Sequence, residues 1–337
     1  MKITLDKKLS LFFLLIIIVI LNFIIFVPKF IYGDEAWSAK VSSFGLIDAI
    51  KNSLNDFHPP LYHIFLSLIL YIIPHNETFL KFLSLLFGIL TIYIILFKLN
   101  EFIGEEESKI LSILLAISPT FLYIFTLVRM YSLSIFLMTL SILFFFKILK
   151  SENKKDKILY IISNILMMLT HHLTVPLFFI EGLYLIIKKR WSLLKTFILN
   201  LFIYLPFSYI FLIQLKRRME LSRGWGNIFI ESFFKDFFSY LFLNIKDASI
   251  FIILNFLILI FIGLYKNLIK FKEDKTFFVL FFLIYFIMFF VVTKLLGSLY
   301  FHYISLIIIP SYLLLVEGSF FLKKYKEKVL IFIIIIL

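Results

Sequence analysis

Residues 9–27 read LSLFFLLIIIVILNFIIFV, without one charged side chain. A helix needs about 20 apolar residues to cross a bilayer core of about 30 Å, and this run is long enough. Similar runs recur at Phe79–Leu99, Ile110–Leu127, Ser132–Leu149, Ile158–Leu169, Thr174–Ile187, Leu193–Leu212, Ile250–Tyr265, Phe277–Thr293 and Ile304–Phe321. Hydrophobic residues make up 62% of the 337 positions and charged ones only 16%, far from the roughly even apolar share and one-quarter charge of a soluble domain. Strand-type alternation is absent, and only helices or closed barrels satisfy their backbone in lipid. The expected fold is therefore an all-α polytopic membrane protein, residues 1–337 forming one integral domain with about 10–12 transmembrane helices. The first run lacks a small-residue cleavage site and reads as a retained anchor rather than a signal peptide.

The net charge is +13, yet its placement speaks against a nucleic-acid partner. Lysines cluster in short connectors: Lys7-Lys8, Lys150 with Lys154-Lys155-Lys157, Lys188-Lys189-Arg190, Lys266 to Lys275, and Lys323 to Lys328. Such connectors belong in the cytoplasm, against anionic lipid headgroups. The remaining connectors then face outward, among them a first external loop at residues 28–58 and a second at 213–247. Leu61–Ile73 is short, and counting it as a full crossing inverts everything downstream. Within the first loop, Leu46, Ile47, Ile50, Leu54 and Phe57 recur at helical spacing opposite Asp48, Lys51, Asn52 and Asn55, the pattern of a helix lying on the bilayer surface. Residues 229–243 repeat it, with Phe233, Phe234, Phe237, Phe238 and Leu241 against Glu231, Lys235 and Asp236. The chain has no cysteine, which excludes disulfides, thiol catalysis and thiolate metal sites.

Ionisable residues in a membrane protein are functional candidates by default. On the outward side these are Asp34 and Glu35, His58, Arg129 with Tyr131, His171 and His172, Arg217 with Arg218, Arg223 and Trp225, and His302 with Tyr303. Neighbours in a helix point about 100° apart, so Asp34 and Glu35 cannot share one proton. One can face a reacting hydroxyl while the other holds a cation. In His58-Pro59-Pro60 the prolines suit a helix start and remove two backbone donors, leaving His58 the nearest side-chain donor. Arg129 is a natural bidentate partner for phosphate or carboxylate, or an arginine snorkelling to the interface. Pro119, one span earlier, bends its helix. The histidine spacing matches no strong metal-ligand pattern, so hydrogen-bonding roles are favoured over a divalent metal. Arg217 and its neighbours form a basic loop suited to interface anchoring or to a headgroup or phosphate contact. Glu181, inside a predicted span, has no evident partner.

The order of these features resembles the GT-C membrane glycosyltransferases, in particular the dolichyl-phosphate-mannose protein mannosyltransferase and lipid A aminoarabinose transferase superfamily. An anchor helix runs into Asp34-Glu35, then come His58-Pro-Pro-Leu-Tyr, Ser118-Pro119, and Arg129-x-Tyr131-Ser-Leu. The likeness continues loosely through "MLTHH", "YLPFSYIFLIQLKRR" and "LYFHYISLIIIPSYLLL". It implies a polyprenyl-phosphate-linked sugar as donor, a hexose such as mannose, with no required cofactor. It also implies an active site on the extracytoplasmic face of the cell membrane. Asp34 takes the place of the catalytic acid with Glu35 beside it. His58 takes that of the residue near the carrier phosphate, and Arg129 joins the same constellation. Tyr131, His171, His172, Arg217, His302 and Tyr303 are further substrate-binding candidates, although His302-Tyr303 stands where such proteins often carry Arg-Tyr. The acceptor is open between protein, lipid and glycan. The competing classes are a transporter or lipid flippase, which places charges at mid-membrane in broken helices, a non-catalytic glycosylation subunit, and an oligosaccharide polymerase or ligase.

Overall fold

A computed structural model describes residues 5–73, 76–222, 230–243, 250–270, 273–296, 301–322 and 326–336, and every regular element among them is helical. Among the described residues six helices are long and apolar enough to cross a membrane: Leu5–Phe26, Glu77–Ile103, Tyr131–Lys150, Trp191–Arg217, Lys275–Thr293 and His302–Phe321. Glu105–Ile117 and Pro119–Thr126 form a seventh if taken as one span bent by 68°. The expected all-helical polytopic membrane architecture thus holds. Leu61–Ile72, His172–Ile187 and Ile252–Leu268 are apolar but shorter. A helix the length of Leu61–Ile72 rises only about 18 Å, so this segment is not a full crossing.

The chain divides into two compact units. The first comprises Met1–Val27, Ile89–Ile124 and Gly226–Leu337. Its centre is helix Ile308–Phe321, buried along nearly its whole length. Gly318 and Gly263 let this helix cross Ile250–Lys270 backbone to backbone, because a Cβ on either would collide with a carbonyl of the other helix, the close small-residue approach that drives helix association in lipid. Immediately before Gly318, fully buried Glu317 is paired with both Lys266 and Lys275, and Lys275 also reaches Glu107 at 2.8 Å. Two ammonium groups offset the cost of burying that carboxylate. Ser118 adopts the extended conformation (ψ 125°) that a following proline demands, and the bend at Pro119 follows from it.

Helix Ile230–Leu243 corrects one expectation. Its apolar face does not lie on the bilayer: Phe233, Phe237, Phe238, Leu241 and Phe242 are buried, with Phe237 edge-on to Phe286 at 5.1 Å and Phe242 beside Tyr312 at 5.5 Å.

The second unit comprises Pro28–Gly88 and Phe125–Trp225. Two short helices, Asp34–Ser43 and Leu46–Asn55, are joined at Gly45, whose φ of 96° suits only glycine. Helix Leu46–Asn55 buries its small residues Ala49 and Ser53 and leaves Leu46 and Ile47 exposed. Around them stand Leu61–Ile72, Tyr131–Lys150, Lys154–Met168, Val175–Ile187, Trp191–Tyr204 and Ser208–Ser222. The last of these makes residues 213–222, the start of the expected second external loop, helical. Glu181 has a structural explanation here. It accepts from Ser141 Oγ at 2.7 Å, Tyr160 OH at 2.9 Å and Asn164 Nδ2 at 3.2 Å, tying three helices together.

Candidate active site

The site grows from one backbone conformation. Gly33 has φ 54° and ψ −126°, open to glycine and strained for any other residue. It launches helix Asp34–Ser43, so both acids fall in the first turn, at the positive end of the helix dipole. The two carboxylates then part. Asp34 is turned outward, its side chain 76% exposed. Glu35 is turned inward and buried. It accepts two contacts from Lys81 Nζ, at 2.9 and 3.1 Å, and a third from the backbone N–H of Val128 at 2.9 Å. Lys81 is itself buried.

The residue after Val128 is Arg129. Its NH1 donates to Ser38 Oγ at 2.7 Å and to the Asp34 carbonyl at 3.3 Å, while NH2 lies 3.8 Å from the Asp34 carboxylate. The guanidinium is buried, and its Nε has no acceptor among the described residues. A buried guanidinium beside an exposed carboxylate leaves donor capacity for an incoming anion.

Among the described residues four histidines lie in this unit. His58 sits 5.3 Å, ring to ring, from His171, and Tyr131 stands 5.5 Å from His171. His58 Nδ1 is buried without a hydrogen-bond partner among the described residues. Its carbonyl accepts from Gln214 Nε2 at 3.0 Å, which also donates to Ser53 O at 2.8 Å, while Gln214 Oε1 meets His172 Nε2 at 2.6 Å. One glutamine thus aligns the end of helix Leu46–Asn55, the His-Pro-Pro turn and the His171-His172 turn. His63 contacts Ser42 Oγ through Nδ1 at 3.2 Å and stands edge-on to Trp37 at 5.7 Å.

Burial first, then the charge of Arg129, holds His58 well below the usual histidine range. Burial, His172 and Arg129 together take His171 down to about 3. Both rings are therefore neutral near pH 7. His58 thus offers a neutral N–H donor, and the permanent charge belongs to Arg129. A pH dependence follows. An unfolded histidine takes up a proton near 6.5, whereas folded His171 resists until about 3, so the unfolded chain binds more protons in that window and stability falls with pH. The thermal midpoint of the detergent-solubilised protein should drop as pH is lowered below about 6.5, and His171→Gln should flatten that drop. An equally steep fall in the variant would remove His171 as its source.

The other candidates have contacts of their own. Arg217 donates to the Leu54 carbonyl at 3.1 Å and reaches Asn55 Oδ1 at 3.5 Å, satisfying the end of helix Leu46–Asn55. His302 and Tyr303 belong to the first unit, where His302 stacks on Tyr123 at 6.2 Å. Arg223 and Trp225 lie outside the described residues, as does the Arg218 side chain. Among the described residues no three His, Asp or Glu side chains group as metal ligands. Lys81, Ser38, His63 and Gln214 were not singled out from the sequence. Only Lys81 carried a signal, as one of two cations, with Lys98, within the apolar run Phe79–Leu99.

Residues 57–214 match the family model of dolichyl-phosphate-mannose-protein mannosyltransferases. The matched segment is just under half of the chain; it contains His58, Arg129, Tyr131, His171, His172 and Gln214, and begins after Asp34 and Glu35. No curated protein matches the chain. The family match supports a membrane glycosyltransferase of the GT-C class.

Proposed function

We propose that the chain transfers a hexose, mannose by family analogy, from a polyprenyl-phosphate carrier to an acceptor hydroxyl on the outer membrane face. The observation that carries this is the pairing of an exposed carboxylate, Asp34, with a buried guanidinium that has donor capacity to spare, Arg129. Asp34 accepts the proton of the acceptor hydroxyl. The oxygen attacks the anomeric carbon as the bond to the phosphate oxygen breaks, and the carrier phosphate leaves with the electron pair. Attack opposite the leaving group, through an oxocarbenium-like transition state, inverts the anomeric centre. Arg129 receives the charge that develops on the phosphate, assisted by the neutral His58. The charge of Arg129 acts on both His58 and His171, which supports placing these groups around one anion. Tyr131, beside His171, completes that wall, and the acceptor is drawn from membrane protein, lipid or glycan.

The test is transfer by the purified protein, with membrane extract as acceptor source, from radiolabelled polyprenyl-phosphate hexoses and from nucleotide hexoses in parallel. Incorporation from the lipid-linked donor alone is expected. Incorporation from a nucleotide sugar, or lipid-linked sugar crossing vesicle membranes without transfer, would overturn the assignment.

A further inference from the structure

Glu35 joins three separate pieces of chain. It belongs to helix Asp34–Ser43, its carboxylate is held by Lys81 from the helix that begins at Glu77, and it accepts the Val128 N–H from the turn before Tyr131. The next residue along that turn, Arg129, bonds back to the same short helix at Ser38 Oγ and the Asp34 carbonyl. The turn is therefore stapled to the helix at two adjacent points, one through backbone and one through the guanidinium. We propose that Lys81 is a positioning residue: acting through Glu35, it holds the Val128–Arg129 backbone so that the guanidinium lies against Asp34. The inference rests on Arg129 being the phosphate-binding group.

The physical reasoning is about a buried charge and what remains when it loses its partner. Both side chains are only 4% exposed. An ionised carboxylate held there without a cation is costly, so loss of Lys81 forces Glu35 to take a proton or to swing toward water. Either response weakens the acceptor for the Val128 N–H, since a carboxylate accepts far more strongly than a neutral acid. Arg129 is long and flexible. Once its backbone is released, its reach no longer places NH1 and NH2 at one spot, and a displacement of about 1 Å at a reacting centre costs on the order of 10²-fold in rate. Lys81 itself is occupied by both oxygens of Glu35, which separates it from a direct ligand role.

The test uses the full chain in lipid nanodiscs, with two readouts. The first is hydrogen exchange at the Val128 amide. The second is binding of polyprenyl monophosphate, the leaving product of the proposed reaction. Lys81→Met should speed exchange at Val128 at least tenfold and weaken polyprenyl monophosphate about as much as Arg129→Ala does. Because both act through one group, Lys81→Met with Arg129→Ala should bind no more weakly than Arg129→Ala alone. Adding Glu35→Gln to Lys81→Met should recover slow exchange and binding in part, since an amide oxygen accepts from Val128 more strongly than a protonated acid does and no buried charge is left to swing toward water. This rescue also shows that the chain folds. Unchanged exchange in Lys81→Met overturns the proposal, as does faster exchange with binding intact. Failure of the Glu35→Gln rescue overturns it too, by assigning the Lys81 ammonium a direct role. If the wild-type protein does not bind polyprenyl monophosphate, the donor-site reading is what falls, and exchange at Val128 alone then decides the staple.

Discussion

Asp34→Asn is expected to lower turnover about 10³-fold, within the range for loss of a general base, while leaving donor affinity nearly unchanged. The two halves of that expectation have separate causes. Asparagine keeps the size and the helix position of Asp34 but cannot accept the acceptor's proton at neutral pH. The guanidinium of Arg129 does not depend on the lost charge for its placement. Its hydrogen bonds run to the Asp34 carbonyl and to Ser38 Oγ, and both survive the substitution. Glu35 cannot substitute for the missing base, because it is buried and held by Lys81 and Val128. The measurement is single-turnover transfer from a radiolabelled polyprenyl-phosphate hexose, with donor binding followed independently. Transfer at the wild-type rate would strip Asp34 of its assigned role. A loss of donor affinity as large as the loss of rate would make it a binding residue instead.

What the sequence could disclose, and what it could not, divides along physical lines. The apolar runs disclosed a helical membrane protein because twenty apolar residues have few other uses. They do not fix where each helix stops, because hydropathy does not measure it: His172–Ile187 is as apolar as a span but shorter. The amphipathic helix Ile230–Leu243 was legible as a helix, but its surroundings were not. Lipid tails are as apolar as phenylalanine side chains, so a face built from Phe233, Phe237 and Phe238 fits bilayer or protein equally well. At the candidate site, the divergence of Asp34 and Glu35 was readable from helix geometry alone. The partner of Glu35 was not, since Lys81 lies 46 residues away and only tertiary structure brings it near. Ser38 and Gln214 are neutral, and a search for costly charges passes over them, although they position Arg129 and the histidine turn. Histidine charge state was equally hidden, because it is burial that keeps His58 and His171 neutral.

Arg129→Ala is expected to cut kcat/KM by about 10²–10³-fold, the usual cost of removing a fixed donor from a developing oxyanion. Arg129→Lys should recover little of it. The guanidinium engages Ser38 and the Asp34 carbonyl through one nitrogen while another faces the Asp34 carboxylate. An ammonium is a point charge on a flexible stem and cannot hold that fork and present donors to a phosphate at the same time. A rival role for Arg129 is to hold Asp34 in place and touch no substrate. The two roles separate by leaving group. If the guanidinium carries charge from the departing phosphate, a polyprenyl-pyrophosphate hexose, whose leaving group stabilises its own charge better, should lose less from Arg129→Ala than the monophosphate donor does. If it serves only Asp34, both donors lose the same factor. Parallel kcat/KM measurements on the two donors, in wild type and in Arg129→Ala, make that comparison directly, and equal losses would return Arg129 to a purely structural place beside the base.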